Sequence, residues 1–393
     1  LHPIILSPAI GSFNLGLCGV AASVVATRVL GDRRMALVIF ITLLFFWLQP
    51  WRWSGFYSFG FLPTTAVYPF WFTISTALIV LSLYLDTEFR SAVWLAVFSL
   101  LSAIVFLVHP LTGIFLYLVL GIKLTMCRDC PWHQRMTAAA FLATGGLLSL
   151  LWPGFPVWGA IVAGPFEFNA DYFYENLAVR MAPMLLAIPA LMYSISKRKT
   201  DFLFVSLIIL VGLYVANFLF LQMAPFARMI TYIILCLHIF VARTFQLSAG
   251  RSLGPMWIIL YIAVIPVVAP ALISQSVDRL MVDRESYQPS GGFEQSTLDS
   301  GSNWQIYRRF RTLAPLIDRT EVVLADQVES WVLPLTAGAR PMSVAHANPF
   351  IRDYPERKEA ARAFFAGELN PEELGKMLDR FGVTHVLLRQ TQK

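Results

Sequence analysis

Charged side chains are scarce in this sequence. Only 14% of its 393 residues are Asp, Glu, Lys or Arg, whereas 57% are hydrophobic, and soluble globular proteins have about 25% charged residues. The apolar residues are concentrated in residues 1–276, and residues 277–393 have an ordinary globular composition. This distribution excludes a wholly soluble protein. It predicts a polytopic α-helical membrane domain, 1–276, followed by one small extracytoplasmic domain, 277–393.

Common catalytic motifs are missing as well. The sequence contains no Walker A motif, no dinucleotide fingerprint, no GxSxG, no HExxH and no N-x-S/T acceptor site. These absences exclude the nucleotide, serine-hydrolase and zinc-protease sites that those motifs build. The net charge is +6, but the basic residues lie mostly in short loops, so no nucleic acid partner is expected.

Cysteine is also rare, with four residues in the chain. Cys18 and Cys236 fall inside predicted spans, and the C-terminal domain has none, which is compatible with a bacterial periplasmic or outer-surface domain. Cys127, Cys130 and His133 lie in one loop. They offer three ligands where a structural zinc ion needs four, so no metal site is predicted there.

Hydropathy predicts about ten membrane spans. A helix needs about 20 apolar residues to cross a bilayer. The predicted spans are 12–30, 35–49, 66–85, 91–108, 111–125, 136–152, 178–196, 202–221, 228–245 and 255–275.

The positive-inside rule assigns the loops to the two sides of the membrane. With ten alternating spans, the loops on one side hold twelve Lys and Arg residues, and the other side holds only Arg52, Arg180 and Arg228. The twelve-residue side is therefore predicted to be cytoplasmic. This predicts an inner (plasma) membrane protein whose C-terminal domain lies outside the cytoplasm.

The stretch "SLLSAIVFLVHPLTGIFLYLVLG" (99–121) carries His109 and Pro110 inside an otherwise apolar run. Pro110 disfavours helical geometry at His109 and removes a backbone donor. The run is too long for one span, so the pair is predicted to form the tip of a hairpin between two short helices. The topology places this tip on the outer side.

Nearly all the unusual polar residues near the membrane fall on the same outer side. Asp171, Glu167 and His109 are the candidate catalytic residues, since carboxylates among aromatic rings suit general-base work or sugar binding. Arg228, Arg52 and Arg180 are the candidate lipid-phosphate ligands, because a guanidinium offers a planar fork of donors. The alternatives are a solvated aromatic belt for the acidic loop, a helix cap for His109 and interfacial anchors for the arginines.

Strand and helix patterns alternate in the C-terminal domain. Strands are predicted at 321–326, 340–346 and 383–388, and helices at 306–317, 328–338, 354–367 and 370–382. Asn370, Pro371 and Glu373 form the cap, first position and capping-box partner of the last helix. This alternation predicts a small α/β unit with a parallel sheet.

The whole pattern resembles a known class of enzymes. The "HPLTG" hairpin, Arg228, and the terminal "VVLADQVESWVLPLTAGARPMSVAH" and "LDRFGVTHVLL" segments resemble bacterial integral-membrane glycosyltransferases of the GT-C class. The resemblance implies transfer of a sugar from a polyprenyl-phosphate carrier to a glycan, lipid or protein acceptor at the outer face, among membrane lipids. It leaves open a divalent metal ion as cofactor.

One feature of that class is missing here. Its members usually carry the catalytic Asp in the first outer loop, which this sequence does not contain, and His2-Pro3 is interpreted as a remnant of it, so the main catalytic Asp is expected upstream of residue 1. Two other functions remain open, a membrane transporter and a non-enzymatic envelope assembly protein. A transporter would show internal repeats and ionisable groups near the bilayer midplane, whereas here the charges cluster at one interface.

Overall fold

The structure is a computed structural model. It describes residues 3–46, 66, 68–153, 170–197, 201–221, 223–249, 310, 312–326, 329–343 and 353–388. These residues form two compact units, a helical unit that contains those up to 249 and a second unit that contains those from 310 onward. The predicted domain boundary at 276 and 277 lies outside the described residues.

The helical unit contains eleven α-helices among its described residues. They are α1 (Pro3–Val25), α2 (Met35–Phe45), α3 (Pro69–Leu83), α4 (Ala92–Val108), α5 (Pro110–Met126), α6 (Trp132–Leu150), α7 (Leu177–Met181), α8 (Ile188–Ser196), α9 (Phe202–Ala216), α10 (Ala224–Ala227) and α11 (Ile230–Ala249). Five-residue π turns, Ala26–Leu30 and Asn217–Leu221, extend α1 and α9. Short 3₁₀ segments lie at Thr87–Phe89, Ala170–Phe173 and Ala182–Ala187.

Nine of the ten predicted spans coincide with these helices, and the tenth, 255–275, lies outside the described residues. Four helical segments are long and apolar enough to cross a membrane: Ala9–Leu30, Leu177–Ser196, Phe202–Leu221 and Ile230–Ala249. Helices α2 to α5 are apolar but shorter. The 11 residues of α2, for example, cover about 16 Å of a hydrocarbon core that is about 30 Å thick. The chain is thus a helical membrane protein by composition and helix length, while the number ten stays a prediction.

The predicted hairpin at His109 is confirmed. Helices α4 and α5 have 17 residues each and meet at His109, whose backbone is extended (φ −148°, ψ 91°), as expected for the residue before a proline. Each helix covers about 25 Å. The two helices approach closely at Gly113, where an added Cβ would lie 2.5 Å from the Cα of Phe106.

Helix α11 has more buried residues than any other described helix of this unit. Fourteen of its residues are buried, including His238 at its centre. His238 is hydrogen-bonded to the backbone of Phe46, directly after the short helix α2. Buried hydroxyl groups elsewhere mostly bond to a carbonyl one turn back in their own helix, as Thr244 does to Phe240 at 3.0 Å, which satisfies a polar group inside a membrane helix.

The helix ends meet in two groups. At one end, Arg28 contacts Glu88, Arg90 contacts Asp129 and Arg243 contacts Asp201; with Lys123 and Asp86 these residues define the Lys123 end. The other end, called the His109 end, is defined by six residues that lie together: Phe70, His109, Thr112, Phe173, Arg228 and Tyr232. This grouping is the one expected when consecutive helices alternate in direction.

The second unit contains a three-stranded parallel sheet in the order β2-β1-β3, with β1 at Val322–Leu324, β2 at Arg340–Pro341 and β3 at Val383–Val386. Its helices are α12 (Glu329–Thr336), α13 (Tyr354–Phe365) and α14 (Pro371–Phe381). The predicted parallel α/β architecture is confirmed. The predicted helix over 306–317 is wrong in its second half, because residues 312–316 form turns.

Both faces of β1 are covered in this unit. Val323 packs with Phe310 and Leu333 on one face, and Leu324 packs with Met377 and Phe381 on the other, because successive strand residues point to opposite faces. The capping box of α14 is also confirmed. Glu373 N–H donates to Asn370 Oδ1 at 2.9 Å, and Asn370 N–H donates to Glu373 Oε2 at 3.0 Å.

Candidate functional site

His109 caps helix α5 with its side chain. The Thr112 backbone N–H donates to His109 Nδ1 at 3.3 Å, which satisfies one of the four N–H groups that a helix start leaves unbonded. Pro110 occupies the first helical position, where its missing N–H costs nothing. The ring packs edge-on against Phe70, with centroids 5.4 Å apart.

A chain of hydrogen bonds continues from this cap into helix α11. Thr112 Oγ1 lies 2.8 Å from His109 Nδ1 and 3.0 Å from the Tyr232 hydroxyl. Because Nδ1 already accepts a backbone N–H, it carries no hydrogen, so Thr112 donates to Nδ1 and Tyr232 donates to Thr112. The neutral imidazole then has its hydrogen on Nε2. His109 therefore presents a hydrogen-bond donor to its surroundings, and not the free lone pair of a general base.

Arg228 places a positive charge near His109. It lies just before α11, and its guanidinium carbon is 6.0 Å from the centroid of the Phe173 ring. Burial lowers the pKa of Arg228 to about 10. Burial, and after it the charge of Arg228, lowers the pKa of His109 to about 4. At neutral pH the guanidinium of Arg228 is therefore a cation, and the imidazole of His109 beside it is neutral.

The 3₁₀ segment Ala170–Phe173 joins the predicted acidic loop to this cluster. Tyr214 donates its hydroxyl to the Phe173 carbonyl at 2.8 Å. Asn217 donates to the Tyr174 hydroxyl at 2.6 Å and accepts the Met223 backbone N–H at 2.9 Å. These bonds fix the segment against α9 and its π turn.

Asp171 is exposed on this fixed segment, two residues before Phe173. Burial, and to a smaller degree the carboxylate of Asp171, raises the pKa of Tyr174, which shows that Asp171 lies near that ring. Arg180 is 8% exposed, and its guanidinium carbon lies 5.4 Å from the centroid of the Tyr172 ring. The segment thus links two further predicted residues to the cluster.

The structure brings His109 and Arg228 together, and it places Asp171 and Arg180 on elements that adjoin Phe173. The candidates Glu167 and Arg52 lie outside the described residues. Sequence patterns missed Thr112 and Tyr232, which are buried and 120 positions apart in the chain. The Thr in "HPLTG" could have indicated the first of them, because it stands at the third position of the helix, whose backbone N–H bonds to the side chain of a capping residue.

A divalent cation does not fit the described part of this end. Mg²⁺ and Ca²⁺ take at least six oxygen ligands, and Asp171 and Glu175 are the carboxylates that the described residues carry on the segment next to this cluster. Within the described residues, the group of three metal-ligating side chains close enough to share an ion is Cys127, Asp129 and Cys130, at the Lys123 end. No catalytic step through a metal is therefore derived.

The Lys123 end holds polar groups that sequence patterns assigned only to topology. Lys123 Nζ donates to the carbonyls of Leu81 at 2.7 Å and Ser82 at 3.2 Å. A cavity of about 370 Å³ opens beside it, lined by three cations and three carboxylates: Arg28, Arg90, Lys123, Asp86, Asp129 and Asp201. Acidic residues placed beside basic ones in short loops are the signal that could have identified it.

No family model matches the chain, and no curated protein is significantly similar to it. Its function is therefore inferred from its own residues.

Proposed function

We propose that the chain is a membrane glycosyltransferase of the plasma membrane that uses a polyprenyl-phosphate-linked sugar at its outer face in cell-surface glycan assembly. The observation that carries the proposal is the pairing at the His109 end of the Arg228 cation with the neutral, Nδ1-bonded His109. A guanidinium and an N–H donor are the groups that bind a phosphate monoester anion or a phosphodiester.

This pairing suits a phosphate that leaves with its electron pair. The hydroxyl oxygen of the acceptor bonds to the anomeric carbon of the sugar, and the bond from that carbon to the phosphate oxygen breaks. The polyprenyl phosphate takes the electron pair, and Arg228 and the His109 Nε2–H stabilise the charge that develops on it. The acceptor hydroxyl loses its proton to a carboxylate.

Asp171 is the carboxylate that we assign to this proton transfer among the described residues. It is exposed, on a segment held by Tyr214, and it lies two residues from the ring that contacts Arg228. Glu167 is the second candidate, and Arg180 and Arg52 are assigned to the lipid phosphate with Arg228.

The proposal includes the predicted topology of ten spans. The Lys123 end faces the cytoplasm, and the His109 end and residues 277–393 lie outside it, in accord with the excess of basic residues at the Lys123 end. Reporter fusions after residue 276 test this, and a reporter that is active only in the cytoplasm contradicts it. An impermeant thiol reagent should label Val108→Cys, which is exposed next to His109, in intact cells.

The decisive experiment compares two arginines that both contact a Phe ring. Arg228 lies over Phe173 at 6.0 Å, and Arg243 lies over Phe240 at 5.1 Å at the other end of α11. Arg228→Ala is expected to lower the rate of sugar transfer by a factor of about 100 or more. Arg228→Lys keeps the charge but loses the planar fork, so we expect a loss of about tenfold.

Arg243→Lys is the matched control and should leave transfer unchanged. Binding of polyprenyl monophosphate in nanodiscs gives a second measurement that does not require the sugar to be known, and it should weaken in both Arg228 variants. If Arg228→Ala binds and transfers as well as the unaltered protein, Arg228 is an interfacial anchor and the proposal fails.

One observation favours the alternative of a transporter. His238 is fully buried at the centre of α11 and bonds to the backbone where the 11-residue helix α2 ends, and ionisable groups beside interrupted helices are typical of transporters. Reconstitution in liposomes separates the two functions. Flux of a solute that His238→Gln abolishes would favour transport over sugar transfer.

A further inference from the structure

Two cysteines form a disulfide in the short connection between α5 and α6. Cys127 directly follows α5 and Cys130 precedes Pro131 and α6, with their Cα atoms 5.5 Å apart. This separation lies within the range that disulfides require. The pair is at the Lys123 end, next to Asp129, which accepts a hydrogen bond from Arg90 at 2.7 Å.

The two sulfur atoms have unequal environments. Cys127 is half-buried and lines the cavity of about 370 Å³, whereas Cys130 is 3% exposed. A small molecule in the cavity therefore reaches the sulfur of Cys127 and not that of Cys130. Attack at Cys127 makes Cys130 the leaving group.

Cys130 is placed to leave as a thiolate. It stands two residues before the first residue of the 19-residue helix α6, whose N-terminus carries a partial positive charge. Arg135 Nε donates to the Cys130 carbonyl at 2.9 Å, so a guanidinium lies beside this residue. Positive surroundings of this kind lower the cost of a thiolate and make it a better leaving group.

The cavity indicates the class of thiol. Three cations and three carboxylates line it, which matches a molecule that carries both ammonium and carboxylate groups. Its volume is of the size that small-molecule sites have.

We propose that Cys127 and Cys130 form a thiol–disulfide exchange site for a small zwitterionic thiol. The thiolate of the small molecule bonds to the sulfur of Cys127, the disulfide breaks, and Cys130 leaves as a thiolate. A second small thiolate bonds to the sulfur of the first, which releases the oxidised small molecule and the Cys127 thiolate. The reverse reaction, with the oxidised small molecule as oxidant, restores the protein disulfide.

This activity is independent of sugar transfer, although it agrees with the proposed topology. The connection belongs to the end that carries the excess of basic residues, predicted to be cytoplasmic. Disulfides in that compartment are mostly transient and serve catalysis or redox sensing.

The test uses the whole protein in detergent, with Cys18→Ala and Cys236→Ala to remove the two other thiols, which are 5% and 1% exposed. The protein is equilibrated with reduced and oxidised glutathione in varied ratios, and free thiols are trapped by alkylation and counted by mass spectrometry. We expect reversible interconversion of both thiols with the disulfide. A disulfide that stays oxidised at every ratio is structural, and the proposal is then wrong.

A second pair of variants tests which sulfur is attacked. In Cys130→Ser, oxidised glutathione should form a mixed disulfide with Cys127, and in Cys127→Ser the rate of mixed-disulfide formation at Cys130 should be at least tenfold lower. Equal rates contradict the proposed asymmetry. At equal thiolate concentration, glutathione should also reduce the disulfide at least tenfold faster than 2-mercaptoethanol, and its rate should saturate as its concentration rises. If the two thiols react at equal rates and neither rate saturates, the cavity is not the binding site.

A metal site is the competing possibility for Cys127, Asp129 and Cys130, whose ligand atoms lie within 4.8 Å of one another. The reduced protein is therefore incubated with Zn²⁺ and dialysed. Retention of one ion per chain that blocks reoxidation by oxidised glutathione overturns the proposal in favour of a metal centre. Free reoxidation in the presence of Zn²⁺ supports exchange.

Discussion

The two ends of the helical unit satisfy their polar groups in different ways. At the His109 end a chain of neutral hydrogen bonds connects Tyr232, Thr112 and His109. At the Lys123 end, oppositely charged side chains pair across neighbouring loops, as Arg90 does with Asp129 at 2.7 Å and Arg243 with Asp201 at 2.5 Å.

Neutral hydrogen bonds and ion pairs suit different functions at the two ends. The ion pairs of the Lys123 end connect neighbouring loops and hold cations and carboxylates together beside the cavity. At the His109 end the neutral chain lies beside the half-buried guanidinium of Arg228, in an environment where a charge interacts strongly with an anion. We infer that the polar chain of the His109 end positions a group that binds an anion, and that the pairs of the Lys123 end fix the loops that surround the cavity.

The largest effect on stability is expected at the glycine of the "HPLTG" hairpin. In Gly113→Ala the new methyl would lie 2.5 Å from the Cα of Phe106. Since this backbone cannot move unless α4 and α5 separate, we expect the free energy of unfolding to fall by about 3 kcal/mol. Gly121→Ala is the control in the same helix, with nothing within 4 Å of its added Cβ, and it should stabilise the helix slightly. Unfolding in mixed micelles measures both, and equal stabilities would show that the hairpin is not closely packed.

The second-largest effect is expected in the pH dependence of the unfolding free energy, because the two ends should lose stability in different pH intervals. Burial lowers the pKa of His109 to about 4, below the value of about 6.5 in an unfolded chain. The unfolded state therefore takes up the proton first, and stability that is complete above pH 6.5 falls as the pH drops to 4, by up to about 3 kcal/mol. His109→Asn keeps a capping group without titrating, and its unfolding free energy should stay flatter in this interval.

The carboxylates of the Lys123 end should change the unfolding free energy only at lower pH. Hydrogen bonds from Arg90 and Arg28 lower the pKa of Asp129 and Glu88. These carboxylates stabilise the fold at pH values above their pKa in the unfolded chain, about 4, and this stabilisation is lost as the pH falls further. If His109→Asn loses stability between pH 6.5 and 4 as steeply as the unaltered protein, the assignment of this interval to His109 is wrong.

The third prediction concerns the hydroxyl at the centre of the neutral chain. Thr112→Val leaves the buried Tyr232 hydroxyl without an acceptor, which we expect to cost about 2 kcal/mol. Thr125→Val is the same change at the other end of α5, where the side chain is exposed and bonds only to the Ile122 carbonyl of its own helix. Thermal unfolding should show a clear loss for the first variant and almost none for the second.

The smallest effect is expected at the exposed ion pair of the Lys123 end. Arg28 and Glu88 lie 2.8 Å apart, but the Glu88 side chain is 62% exposed, so water and salt screen the pair. A double-mutant cycle of Arg28→Gln and Glu88→Gln should give a coupling close to the error of measurement, and none in high salt. A coupling as large as the loss in Thr112→Val would mean that the ends do not differ as described.

Much of the local structure was determined by the sequence itself. The scarcity of charge predicts a membrane protein, Pro110 predicts the break at His109, and Asn370 with Glu373 predicts the start of α14. Each of these depends on neighbouring residues, because a proline ring or a capping side chain acts within one helical turn. The count of full-length spans was harder to predict, since hydropathy does not show where a helix such as α2 ends.

The composition of the candidate site was decided by the tertiary structure. His109 and Arg228 were identifiable as unusual residues, but only the packing of α5 against α11 brings Thr112 to Tyr232 and thereby fixes the hydrogen of His109 on Nε2. Contacts among other helix ends place Cys127 on a cavity with residues of three other loops. Contacts between residues more than a hundred positions apart depend on how helix surfaces fit, because close packing selects one arrangement among many with the same hydropathy.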